Sequence, residues 1–585
     1  KNGIPAPQSG SIRQNGRTIA EQIGGQIFID TWGLVLPCNP KKAADFGEAA
    51  ARVSHDGEGV LGARFLCAAI SKAFETNDVF EIIEAGLGQI PEHSDYAQVA
   101  RAVLRFYEKH PDDFRACRDM LEKEWGYSRY PGVCPIIPNA GVCVLALVYG
   151  KGDFNRTVEI ATMCGWDTDC NAGNVGTVMG VACGLEGIAD KYRKPINDGI
   201  VLSGISGFLN IVDIPTFAKE VAILGYRLAG EPCPQELLDS FTARDIYFDF
   251  ELPGSTHNIR ISDPFFCRAR HSTERAYRGT GSLEVLFDRM TRGEYSKIYY
   301  KPFYTRDDFS DERYSPTFAP KAYPGQTVSM KIYLDQWNGN ETVGIAPYVR
   351  LAKSKKELKQ GYIKLVDQEW LDVEFQIPDT EGEMIDEVGI VLESYSPAKF
   401  KSLGRIFIDE FRITGKAEYR IDFAKQMVNF GCVTPFSHNR GSWKIENGAM
   451  YLMTAEPCES YTGNYFADDY TVSVTINPQN GDSHMVAVRA QGAMRGYFLG
   501  FDGKDQVSLY LNNFGWTRLA GCRFEWDYDR DYEFTVSVKG NTITLSIDGQ
   551  QVLRHEDGTF GYGMYGVGTR SAARTYFRNF RYKDI

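Results

Sequence analysis

The sequence predicts a multidomain protein, an all-α bundle followed by two all-β sandwiches, and three observations predict it. The chain has 585 residues, too many for one hydrophobic core. Up to about residue 242 its apolar residues recur at helical spacing, and beyond that point apolar and polar residues alternate. The alternating part falls into two blocks that meet near the charged stretch Thr414 to Phe423. The expected domains are therefore residues 1–242, 243–416 and 417–585. A hydrophobic content of 43% with 24% charged residues excludes wholesale disorder.

The elements follow in order. Gly62 to Phe74 places Leu66, Ala69, Ile70 and Ala73 on one stripe, and Tyr96 to His110 does the same with Val99, Val103, Phe106 and Tyr107. Breaks fall at Pro91, Pro111, Pro131 and Pro138, so short loops join many helices. In the first β block TVSMKIYLDQW, WLDVEFQIP and GRIFIDEFRITG read as half-buried strands bounded by Gly, Asn and Pro. In the second, DYTVSVTINP, QVSLYLNNF and YFRNFRY do so, and VKGNTITLSIDGQQVL holds two hairpin turns, Gly540-Asn541 and Asp548-Gly549. No repeat relates the two blocks.

Bulk properties exclude some partners. A net charge of −12 argues against nucleic acid, which needs basic patches. No run of 18 apolar residues offers a membrane span. The thirteen cysteines form no CxxC pair, and Cys67, Cys143 and Cys183 lie in apolar helical runs. They read as buried free thiols of a reducing compartment, which leans localisation towards the cytoplasm.

GWDTDCNAGNVGTVMGVACGLEG carries the chemistry. Asp167 and Asp169 stand two apart immediately before a helix in which Gly173, Gly176, Gly180 and Gly184 share a face, an arrangement that lets another helix pack close. Each such glycine costs about 1 kcal/mol relative to alanine. One acid suffices to cap a helix; an Asp-Thr-Asp at the head of a buried one also offers hard oxygen ligands for Mg²⁺ or Ca²⁺. The residues alone leave cap and metal site both open.

GWDTDCNAGNVG closely resembles the C-terminal metal motif of the ADP-ribosylglycohydrolase family, an all-α family that binds two Mg²⁺ ions and hydrolyses glycosidic bonds to ribose. The resemblance extends to Ile23–Pro40 and Ala51–Phe74, which look like the family's Gly-rich helix and Ser/Thr-His segment, and covers about residues 1 to 230. It implies Asp167 and Asp169 as metal ligands. Cys170 stands where the family has Thr or Ser, a soft thiol poorly suited to Mg²⁺. Trp166 replaces a Gly and is expected to narrow the pocket or stack on a sugar or base. Asp30, Ser54, His55 and Asn171 are expected at the substrate pocket, with Glu58 as a general base. The family's N-terminal acidic cluster has no match before Gly165. Together with the missing initiator Met, this is read as loss of the N-terminal part of a longer form, which would leave the chain weak in metal binding and catalysis.

The block ending at Gly415 looks like a carbohydrate-binding jelly roll, through GTGSLEVLF, the Trp370 strand and RIFIDEFRI. The last block looks like a laminin-G or concanavalin sandwich, through GNYFADDYTVSVTINP and TITLSIDGQQV. Tyr497, Phe498, Trp516 and Trp526 are candidate sugar platforms against a core role, while Asp409 and Asp548 read as structural. Such glycan-enzyme modules lean localisation towards secretion, leaving it open. Three functions follow as expectations: a metal-dependent hydrolase of ADP-ribosyl conjugates, the same machinery acting on a glycan or other glycoside, and a non-catalytic binder.

Overall fold

The computed structural model describes residues 4–310, 314–338, 342–397 and 400–585. Contacts divide the chain into one unit of residues 1–195 and 218–238 and another of 196–217 and 239–585. The sequence placed residues 196–217 with the helices; in the structure they group with the β unit, where Gly199–Val201 pairs with Ile211–Asp213.

The helical unit is built around Ile136–Gly150, whose fifteen residues are all buried. A helix apolar on every side can only be central, and Glu58–Ala73, Asp95–Lys109, Phe114–Trp125, Phe154–Met163 and Thr168–Cys183 contact it. The amphipathic helices start where polar side chains take up free backbone N–H groups: Asn39, Asp78, Ser94, Asp113 and Asp153 each accept one in the first turn. Close approach falls where the sequence did not point. A Cβ on Gly25 would stand 2.4 Å from the Gly59 carbonyl oxygen, and one on Gly47 2.5 Å from the Cys67 sulfur. In the helix Thr168–Cys183, by contrast, a Cβ on Gly176 or Gly180 would have neighbours no nearer than 3.7 Å, and Gly173 and Gly184 have none within 4 Å. The expected close-packed glycine face is not there. The buried face is Asn171, Asn174, Val175, Val178 and Met179.

The β unit is two sandwiches, and among the described residues their neighbouring strands pair antiparallel. The first faces a sheet containing Val343–Leu351, Ile385–Ser394 and Tyr295–Tyr300 against one containing Thr327–Asn338, Ser402–Thr414 and Ser282–Met290. Non-sequential strands are neighbours in both, and Ile345, Val388 and Ile390 share a core with Val285, Ile332 and Ile406. The second packs an eight-stranded sheet on a seven-stranded one over Val472, Val536, Val486 and Leu499. Both expected hairpins are present: Lys539 pairs Thr542 and Ile547 pairs Gln550, with Asp548 and Gly549 at φ +50° and +79° as the two-residue turn requires. Tyr497, Phe498 and Trp526 are buried, Tyr497 and Trp526 between the sheets; Trp516 alone of the four is half-buried. Asp409 is structural, accepting from the backbone N–H groups of Tyr277, Arg278 and Glu410, and Asp548 accepts from Glu533.

Candidate functional site

The head of the helix Thr168–Cys183 gathers the acids. Asp167 precedes its first residue without capping it, and Asp169 and Cys170 lie in the first turn. Ligand atoms of Asp167, Asp169 and Cys170 all lie within 4.8 Å of one another. Asp169 is exposed; Asp167 and Cys170 are half-buried. Burial, with Asp169 beside it, raises the Asp167 carboxyl above the ordinary carboxylate range, although the neighbouring Cys170 and Cys134 thiols act the other way. Burial and the neighbouring Asp167 push Cys134 up to about 11 and Cys170 up to about 12. Among the described residues no carboxylate from before Gly165 joins this group.

A polar scaffold beneath holds the helix head in place. Asn139, on the central helix, accepts with Oδ1 from the Asp167 backbone N–H at 3.4 Å and from Asn171 Nδ2 at 2.9 Å. Asn171, expected at the substrate pocket, is fully buried here and also accepts from the Cys143 thiol, so it is a tie between helices. Further along, Tyr96 donates to Gln26 Oε1 at 2.8 Å, Gln26 donates to Asn174 Oδ1 at 2.9 Å, and Asn174 donates to Asp30 Oδ1 at 3.1 Å. Thr177 closes the chain by donating to Asp30 Oδ2 at 2.6 Å. Enclosure raises the Asp30 carboxyl to about 6, against the pull of those two donors. The costly carboxylate in an apolar run thus has partners, one and two turns beyond the acid pair on the same helix.

The other expected residues fall into place unevenly. Trp166 sits at φ +60°, stacks on Tyr127 at 5.1 Å and carries the Arg118 guanidinium 3.7 Å from its ring centre. Its ring is engaged in holding the loop. Ser54 is exposed and hydrogen-bonds His55 Nδ1 at 2.8 Å, while the His55 ring rests on Gly24, where a Cβ would meet Nε2 at 2.7 Å. Burial lowers the His55 pKa. Glu58 departs from the base expected of it. Its two oxygens accept from the backbone N–H groups of Asp95 and Tyr96, which anchors the start of the helix Asp95–Lys109. It lines a charged cavity of about 460 Å³ with Arg17, Glu21, Arg52 and Arg64, and the acid pair does not line that cavity. Sequence reasoning missed Cys134, Asn139, Gln26 and Asn174. Their only sign was a polar residue inside, or just before, an apolar helical run.

Mg²⁺ selects oxygen in near-octahedral array. The side chains gathered with Asp167 are one further carboxylate and the Cys170 thiol, so the donor set does not fit that ion.

An all-α domain with an acid pair at the head of a glycine-containing helix, followed by two sandwiches, defines a class of multidomain protein. Residues 2–221 match the family model ADP-ribosylglycohydrolase. A search of curated proteins finds no match. Similar solved structures include the carbohydrate-binding module CBM66 from Bacillus subtilis, 17% identical, covering 26% of this chain and 95% of that one at a TM-score of 0.24. A tandem CBM22 module from Paenibacillus barcinonensis is 11% identical, covering 58% and 97% at 0.20. A galectin-like protein from Bacillus subtilis is 15% identical, covering 26% and 89% at 0.23. No helix is long and apolar enough to cross a membrane among the described residues.

Proposed function

We propose that the helical domain hydrolyses a glycosidic bond to ribose in an ADP-ribosyl conjugate, with Asp167 and Asp169 as its working carboxylates. One observation carries the reading: the two acids and Cys170 converge within 4.8 Å at a helix head open to solvent, inside the stretch matched by the family model. Two carboxylates sharing a site cannot ionise equally easily. Asp167, the more enclosed, holds its proton longer and suits protonation of the leaving group; Asp169, which water reaches, suits activation of the attacking water. Asp30, raised to about 6, is a second group able to exchange protons near neutral pH.

The test is release of ADP-ribose from a modified protein by the wild type, Asp167→Ala and Asp169→Ala. Each variant is expected to lose roughly 100-fold or more in rate, the usual worth of a general acid or base. Wild-type turnover in either would remove the assignment. A second reading, hydrolysis of another glycoside, draws on the two sandwiches appended to the domain. A panel of glycosides assayed beside the ADP-ribosylated protein separates the two, and inactivity on both leaves the non-catalytic binder.

A further inference from the structure

Residues 196–217 are fastened to the first sandwich by two tight turns bonded to each other. Asn197 and Asp198 in one turn, His257 and Asn258 in the other, take left-handed backbone at φ +48°, +59°, +47° and +59°. Such a backbone is uncommon without glycine, and tertiary contacts must hold it in place. Asn197 Nδ2 donates to the Ile259 carbonyl at 2.9 Å. Asp198 Oδ2 accepts from the Thr256 N–H at 2.6 Å, the Thr256 hydroxyl at 3.1 Å and the His257 N–H at 3.1 Å. At the centre His257 is fully buried, with Nδ1 2.7 Å from Asp213 Oδ1 and Nε2 3.7 Å from Asp249 Oδ1. Both carboxylates are buried too. Phe248 stacks on the imidazole at 4.6 Å and Phe250 meets its edge at 5.2 Å. Tyr300, packed on Phe248, lies in the field of Asp213 and Arg260.

We propose that His257 is a proton-operated latch: as an imidazolium between Asp213 and Asp249 it fastens residues 196–217 to the first sandwich, and loss of its proton loosens them. A neutral imidazole has one N–H to give. With that N–H on Asp213, the Nε2 lone pair is left facing the Asp249 carboxylate, and Nε2 has no hydrogen bond of its own. The imidazolium presents one N–H to each carboxylate. Removing its charge leaves two buried carboxylates around an uncharged ring, the costly half of a broken buried pair. Burial opposes the charged ring, but Asp213 and Asp249 outweigh it and raise the His257 pKa. Burial likewise opposes the Asp213 charge, and His257 outweighs it, holding that carboxyl below the ordinary range. The latch stands apart from the hydrolase reading, since none of its residues belongs to the acid pair or its scaffold.

The experiment is hydrogen exchange on the reduced full chain between about pH 6 and about pH 9, with rates corrected for the base catalysis of exchange itself. A histidine whose pKa is raised by folding gives stability that is complete below its unfolded value of 6.5 and is lost as pH climbs through the folded one. Opening of the paired strands Gly199–Val201 and Ile211–Asp213 is therefore expected to rise by up to about tenfold per pH unit above about pH 6.5, then level off. The strand Tyr532–Lys539 of the second sandwich is expected to keep its protection throughout. His257→Gln, which cannot be protonated, is expected to give a flat profile with the paired strands less protected. Asp249→Asn, which removes one of the two charges, is expected to level off at a pH lower by roughly one unit. A flat profile in the wild type, a wild-type profile in His257→Gln, or an unshifted one in Asp249→Asn overturns the proposal. The wild type and Asp249→Asn report even if His257→Gln fails to fold.

Discussion

Asp30 and Glu58 are half-buried carboxylates of the same domain, and their partners set them apart. Asp30 accepts from two neutral side chains and is raised from 3.8 to about 6. A carboxyl with a raised folded-state pKa contributes stability that is complete below its unfolded value and is lost as pH climbs through the folded one. Asp30→Asn is therefore expected to match the wild type in unfolding free energy below about pH 4 and to exceed it above about pH 6, by up to roughly 2 kcal/mol after allowance for solvent screening. Equal pH dependence in both proteins would show that Asp30 ionises freely. Glu58, by contrast, holds two backbone N–H groups at a helix start. Glu58→Ala is expected to cost about 1–3 kcal/mol in thermal stability while leaving turnover of the folded protein near wild type. A loss of turnover with unchanged stability would restore it as a base.

At the scale of the element, the helix Thr168–Cys183 separates what composition suggests from what packing uses. Its glycines share a face in the sequence, but Gly176 and Gly180 have room for a Cβ in ordinary contact with Val158, Phe154 and Ile188. Gly180→Ala is expected to stabilise by about 0.5–1 kcal/mol, because it removes backbone freedom from the unfolded chain without a clash. Destabilisation in thermal melts would mean that the helix packs more tightly than this. The acid pair was legible because two aspartates before a helix leave few readings; the scaffold was not, because Asn139, Asn174 and Gln26 are single polar residues whose partners lie far along the chain. Distance in sequence hides a hydrogen bond even when both ends are in plain view.

For the whole molecule, a helical core separate from the cores of the β unit means that unfolding is not one event. Calorimetry is expected to give a total enthalpy larger than the van't Hoff value, with more than one transition. A single two-state transition would show that the cores unfold as one.

The sequence by itself determined the order of fold classes, the hairpin turns, and the acid pair Asp167 and Asp169, because each rests on periodicity or on residues adjacent in the chain. Only the tertiary structure decided that Cys134 stands against Asp167, that Asp30 is held by Asn174 and Thr177, and that Glu58 anchors a helix. It also moved residues 196–217 from the helical to the β unit. The reason is physical: spacing along a chain fixes which face a side chain takes on its own element, while the partner on the opposing element is chosen by packing of the whole core.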